Sequence, residues 1–506
     1  MIAYENTSTR SNKKEIEIFK GFMACIVMGL ISFFSISLAR DNFLLNFATQ
    51  IVIPLVVTYR LTRNWLTTFT LITITGTFLG FSALFFISIG LPMVLARGIM
   101  FAITMGILLM TVYSQQHLQK PDDSYWNFSS TSVLILLYGL FLPILLVLYS
   151  VFVCDTSPVD AFGDIKFIFP VLLYYPISRL LKRHSEIFLG WVLAISVIHV
   201  IISLTLSIGP VDITSIMYQN YSNDILDDTI VGNYEGLLTR RNASPAFITS
   251  LFGFFTGFLI ATDSTKKMYF QFLGFGFGLF CLIHLIFDYM RGPLIATVII
   301  LLLFGFATTL KRQFHSYAFR TFMFVIAVIL IGGYVMYLVV PEGYARFIFT
   351  GTLQSYLGEA RVEQSDQMIE AFKEEPVLGQ GIGSKIRGGY ARAADELNFE
   401  LQYQMILYRV GVVGFVILMA PLIWLIAELF RKKGAMSKRL FQIEGKFHMC
   451  LLLSILATCV AGYANPYLKT GYITLTIAMY LAYRIALSDK RCQLSDMNCM
   501  GGPFHK

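Results

Sequence analysis

The chain has 506 residues, 56% of them hydrophobic and only 14% charged. A soluble globular protein carries roughly 25% charged residues, so that class is excluded. The net charge of +8 is assigned to cytoplasmic loops, where membrane proteins accumulate Lys and Arg, and not to nucleic-acid recognition. Repeated apolar runs of about 20 residues predict an all-α polytopic integral membrane protein; a transmembrane barrel would instead show alternating segments of about 10 residues.

In chain order, helices are predicted near 21–39, 43–59, 65–88, 92–113, 131–153, 163–179, 187–208, 243–262, 268–288, 292–310, 318–340, 403–429, 445–463 and 470–487. The first run continues straight into Arg40-Asp41 and lacks a small-residue cleavage site, so it reads as an uncleaved span. The runs 43–59 and 163–179 are short enough to be tilted or re-entrant, which gives 12 to 14 spans. The organisation that follows is an N-terminal bundle (1–208), a first outer loop (209–242) and central spans (243–340). A large extracytoplasmic loop (341–402) separates the eleventh span from the twelfth, and a C-terminal bundle with its tail (403–506) closes the chain.

Charge sets the predicted orientation. With the N-terminus inside, the inner loops hold Lys13, Lys14 and Lys20, then Arg60 and Arg63, Lys182 and Arg183, Lys266 and Lys267, Lys311 and Arg312, and Arg431 to Lys433. Asp155, Asp160, Asp164 and the acidic 209–242 segment fall outside. Both termini are then cytoplasmic, with 341–402 on the outer face. Within that loop, Leu353–Lys373 carries Leu357, Met368, Ile369 and Phe372 among charges, a pattern suited to a helix at the interface. Pro376 ends it, and a helix over Asp395–Arg409 is expected to dive into the membrane. No internal repeat is visible.

The seven cysteines are scattered, with no Cys-x-x-Cys and no Cys/His cluster, so no metal site, disulfide framework or cofactor is indicated. Gly379-Gln-Gly-Ile-Gly383 lacks the strand and βαβ unit of a dinucleotide fingerprint; a tight turn with spare backbone donors for an anion is the expectation. Ionisable groups at the outer ends of spans carry more chemistry. Arg97, Arg291 and Arg409 lie within or beside the outer membrane half, and Arg240 and Arg241 reach the same level. Such groups face cavities or pair internally, and guanidiniums converging on one site suit a pyrophosphate because each offers a bidentate fork. No histidine lies in the large loop. Any side-chain base there is a carboxylate: Asp395, Glu396 or Glu400, the last two one helical turn apart.

The order of these segments resembles the O-antigen ligase and polysaccharide polymerase superfamily of bacterial membrane glycosyltransferases. Glu235-Gly-Leu-Leu-Thr-Arg-Arg-Asn242 is similar to its glycine-to-asparagine element, and Asp288-Tyr-Met-Arg-Gly-Pro293 to its Ser-Arg-Gly element, with Met replacing Ser. Arg361 followed by Ala371–Gly383 resembles its arginine, short helix and Pro-x-x-Gly-x-Gly element. Glu400 through Gly411-Val-Val-Gly414 resembles the re-entering segment. The likeness spans 235–414. Where ligases carry a His-x-x-His-Asn type cluster, this chain has Asp395-Glu-Leu-Asn-Phe-Glu400, which favours a polymerase.

The resemblance implies metal-independent glycosyl transfer at the outer face of the bacterial inner membrane. The donor is a glycan on undecaprenyl pyrophosphate, and the acceptor is another glycan or lipid-linked unit. Glu400, Glu396, Arg291 and Arg361 are implied as catalytic; Arg97, Arg240, Arg241, Arg387, Arg409 and Asn398 are implied at the pyrophosphate or substrate. Membrane lipids, a flippase and a chain-length regulator are the implied partners. The alternatives are a ligase joining glycan to lipid A core and, from another class, a lipid-linked glycan flippase. A transporter predicts midplane charges, broken helices and an internal repeat, whereas the charges here gather at the outer edge.

Overall fold

A computed structural model describes residues 2–38, 43–79, 106–107, 110, 130–208, 247–263, 266–287, 291–309, 359–386, 399, 401–430, 443–463, 468 and 470–500, with isolated positions between 320 and 334. Among the described residues every regular element is helical. The predicted 92–113 helix lies almost wholly outside them, and the 209–242 loop entirely so.

The helices run α1 (Ile2–Leu38), α2 (Phe43–Phe47), α3 (Ile53–Thr62), α4 (Trp65–Leu79), α5 (Ser130–Leu136), α6 (Leu142–Phe152) and α7 (Pro158–Ile165). They continue as α8 (Tyr174–Ile208), α9 (Ile248–Ala261), α10 (Met268–Phe287), α11 (Arg291–Thr309), α12 (Glu359–Glu374), α13 (Gln402–Phe430), α14 (Ile443–Ala461) and α15 (Gly471–Met500). Thr131–Phe152, Pro158–Ile202, Met268–Leu285 and Gln402–Phe430 are long and apolar enough to cross a membrane, and shorter apolar helices accompany them. These features make the chain an all-α protein of membrane type.

Departures from the predicted helices have local causes. Two π-turns, Ala48–Val52 and Leu137–Phe141, join α2 to α3 and α5 to α6. Each lies just before a proline, Pro54 or Pro143, whose missing N–H and ring clash an unbroken α-ladder cannot absorb. The predicted 163–179 helix is instead the short α7 and a 3₁₀ stretch, Lys166–Leu173, containing Pro170. The division predicted between 179 and 187 falls at His184 (φ −136°, ψ 42°), where α8 is two helices meeting at a kink with no intervening loop. α1 begins well before Gly21, and α15 continues past 487 into the tail.

α8 is the hub, its apolar surface buried against α1, α4, α9 and α15. α1 crosses it closely because Gly190 stands where a Cβ would lie 1.9 Å from the Ile18 carbonyl oxygen. Membrane helices with no hydrophobic force between them associate through such close backbone packing. Helices α5, α6 and α13 sit at the periphery and turn Leu145, Leu148, Val416 and Ile423 outward, as lipid-facing surfaces do.

Contacts sort the helix ends into two sets. In one, Lys14 pairs with Glu186 (3.6 Å), Lys446 Nζ donates to Asp263 Oδ2, and Arg484 pairs with Glu428 (3.5 Å). In the other, the α6 and α7 ends meet residues 379–385, while Leu468 N–H donates to Gln402 Oε1 (2.5 Å) at the start of α13. Each of these contacts joins segments that charge assigns to one and the same side.

Candidate functional site

The site is built where the chain leaves α12, turns and later re-enters as α13. α12 spans Glu359–Glu374 and stops ahead of Pro376, which cannot donate a helical hydrogen bond. It does not lie free on an interface. Met368 turns inward against Phe399 and Met405, Gln364 Oε1 accepts from Leu401 N–H (3.3 Å), and Gln404 Nε2 donates to Ser365 Oγ (3.0 Å). Ile369 and Val362 remain exposed.

Residues 376–381 then pair along α13. Val412 N–H donates to the Pro376 carbonyl (2.9 Å) and Val413 N–H to that of Val377 (3.2 Å). In return Gln380 N–H donates to Tyr408 O (3.1 Å) and Gly381 N–H to Arg409 O (2.9 Å). This pairing is possible because α13 is interrupted at Gly411, with φ 64° and ψ −174°. An unbroken helix would commit those carbonyls and amides internally. The interruption lies just inside the apolar part of the span, a place where irregular backbone persists only if protein satisfies it.

The glycine turn corrects the expectation of spare donors for an anion. Gly379 N–H donates to Glu375 O (2.9 Å), Ile382 N–H to Ser150 Oγ (2.6 Å), Gly383 N–H to Asp164 Oδ2 (3.2 Å) and Ser384 N–H to Gly381 O (3.3 Å). With Gln380 and Gly381 bonded to α13 as above, every amide from 379 to 384 is engaged. The turn is a wedge between α6, α7 and α13 and not a phosphate cradle.

At its centre sits Arg409, 2% exposed. Its Nη1 donates to Asp164 Oδ1 (2.7 Å) and Oδ2 (2.6 Å), and Nη2 donates to the Ser384 carbonyl (3.3 Å). Its guanidinium also lies 5.7 Å from the Phe399 ring centroid. The cation predicted at the outer end of α13 is therefore turned inward onto a carboxylate and the glycine turn. Lys385 pairs with Asp160 at the rim (3.6 Å). Beside them Cys154 packs under Gly381, and burial pushes its thiol pKa up.

The other predicted site residues divide in two groups. Arg97, Arg240, Arg241, Arg387, Glu396, Asn398 and Glu400 lie outside the described residues. Arg291 opens α11 and Arg361 lies in the first turn of α12; the backbone, but not the side chain, is described for each. Sequence reading missed Asp164, Ser150 and Gly411. Asp164 had a signal: it stands just inside the outer end of its apolar run, as Arg409 does in its own, and opposite charges so placed favour pairing.

A cavity of about 460 Å³ opens beneath this clasp. It runs along α13 from Asp164 and Arg409 to Trp424 and Arg484, and its wall between those ends is mostly aliphatic. Among the described residues no three His, Cys, Asp or Glu side chains are grouped to hold a metal.

The pairing of 376–381 with 408–413 also predicts a stability effect. A Cβ at Gly411 would lie 2.3 Å from the Val377 carbonyl oxygen, at a backbone conformation reserved to glycine. Gly411→Ala is expected to cost more than the roughly 1–3 kcal/mol of backbone strain alone. Gly276→Ala, where a Cβ meets nothing within 4 Å, is expected to leave the melting temperature in detergent unchanged or slightly raised. Equal melting of the two variants would contradict the clasp.

Compared with protein-family models and with curated proteins, the chain matches no family model and no curated protein.

Proposed function

We propose that this protein is a polymerase of bacterial surface polysaccharide. In this reading it transfers a glycan from undecaprenyl pyrophosphate to a sugar hydroxyl of a second lipid-linked unit. The observation that supports it is the joining of two successive resemblance segments, 371–383 and 400–414, by backbone hydrogen bonds at one end of the bundle. A sequence likeness in these two segments is worth more when they form one structural unit than when they lie apart.

The chemistry divides among residues as follows. The acceptor hydroxyl attacks the anomeric carbon while the bond from that carbon to the pyrophosphate oxygen breaks. Arg291 and Arg361 offset the charge that develops on the departing pyrophosphate, a gain realised chiefly in the transition state. Glu400 takes the hydroxyl proton, with Glu396 as the second candidate. Arg97, Arg240, Arg241, Arg387 and Asn398 bind the donor. Arg409 serves this site from beneath, by fixing the glycine turn through Asp164. The reading places the protein in the inner membrane with 341–402 outside and both termini in the cytoplasm. A donor that arrives already activated and dissolved in lipid needs no nucleotide-binding domain or resident cofactor.

Surface glycan from a strain lacking the gene, resolved on a gel, tests the reading. Lipid A core bearing a single repeat is the expected product. Bare core would assign ligation or flipping instead, and an unaltered ladder would remove the protein from this synthesis.

A further inference from the structure

The cavity beneath the clasp has two unlike ends. At the Arg409 end the cation is buried and matched to Asp164, with side chains 2% and 4% exposed. At the far end the Arg484 side chain is 27% exposed. Its guanidinium carbon lies 4.4 Å from the Trp424 ring centroid, and one nitrogen reaches Glu428 at 3.5 Å. An arginine has five N–H donors, and among the described residues no closer polar contact holds them. In sequence, Arg431-Lys432-Lys433 follows α13 and Lys490-Arg491 follows Arg484 on α15. The open end of an apolar slot thus carries an arginine and a tryptophan, the residue that favours the membrane–water boundary.

The slot itself is long and dry. From Arg409 to Leu425 along α13 it extends about 24 Å at 1.5 Å per residue, most of a bilayer core of about 30 Å. Ile135, Leu418, Leu422, Ile477 and Leu481 are among its lining residues. A slot of this form takes a chain and not a sugar. Its volume of about 460 Å³ lies in the range of pockets, roughly 300–1,000 Å³, that enclose one small ligand.

We propose that this cavity is a binding site for an anionic phospholipid, with one acyl chain between α5, α13 and α15 and the headgroup phosphate on Arg484. Basic pockets between transmembrane helices bind such headgroups, and here the guanidinium stands over the Trp424 ring. The site lies at the opposite end of α13 from the clasp and does not depend on the glycosyl-transfer reading. Its occupant packs along α13 from Leu418 to Leu425.

Native mass spectrometry of the purified full-length protein, with dioleoyl phosphatidylglycerol or dioleoyl phosphatidylcholine added, tests the proposal. One phosphatidylglycerol retained per chain in preference to phosphatidylcholine is expected. Arg484→Gln should lower phosphatidylglycerol retention about fivefold, to the level of phosphatidylcholine, the size of one lost basic contact. Leu422→Trp, which fills the slot, should retain neither lipid. Should that variant not fold, dihexanoyl phosphatidylglycerol with the unaltered protein serves instead, because chains too short for the slot should be lost. Equal retention of both headgroups, equal retention of short and long chains, or unchanged binding in a folded Leu422→Trp protein would overturn the proposal. So would displacement of phosphatidylglycerol by an equal concentration of undecaprenyl phosphate.

Discussion

Asp164→Ala is expected to destabilise the protein by about 3–5 kcal/mol, the range found when one partner of a buried ion pair is removed. The carboxylate accepts two hydrogen bonds from Arg409 Nη1 and one from the Gly383 amide. Its removal leaves a guanidinium 2% exposed to solvent without its counter-charge and frees the glycine turn from α7. A lower melting temperature in detergent and looser proteolytic protection of 376–386 are the expected readouts. The paired change Asp164→Leu with Arg409→Met is expected to recover most of the loss, since replacing both charges by apolar groups of similar size is often neutral or stabilising. A single variant as stable as the parent would mean that the pair does not hold the clasp.

Glu400→Gln is expected to abolish chain extension without lowering the amount of protein in the membrane. The substitution keeps the shape of the side chain and removes only its ability to take a proton. Positioned general bases contribute typically about 10²–10⁴ in rate. Glu400 is two residues ahead of α13, which begins at Gln402, and directly follows Phe399, a buried member of the cluster with Met368 and Met405. Glu396→Gln and Asp395→Asn are expected to be milder. Glycan of normal length from the Glu400→Gln strain would contradict the assignment and leave the arginines as the electrostatic catalysts.

Much of the fold is legible in the sequence because hydropathy and proline act locally. The stop of α12 before Pro376 and the tight turn at Gly379–Gly383 follow from short-range chemistry, whereas the helix expected over Asp395–Arg409 begins only at Gln402, with Phe399 and Leu401 outside it. The Lys446–Asp263 pair joins two segments that charge assigns to one side. What the sequence leaves hidden is long-range. Asp164 and Arg409 are 245 residues apart, and no spacing rule joins them. Nor does a glycine run disclose that its amides are consumed: beside the local acceptors Glu375 and Gly381, four of them reach Ser150, Asp164, Tyr408 and Arg409, outside the turn. Gly411 is similarly opaque, since a glycine within an apolar run signals equally a close helix contact or a broken helix. His184 breaks α8 with neither proline nor glycine beside it.

The most direct test of the proposed activity uses the purified protein in vesicles supplied with a single lipid-linked repeat unit and no other enzyme. A ladder of longer lipid-linked glycans, with undecaprenyl pyrophosphate released in step with each extension, is the predicted result. Repeat units that stay unextended beside folded protein, or that cross the bilayer without growing, would contradict it.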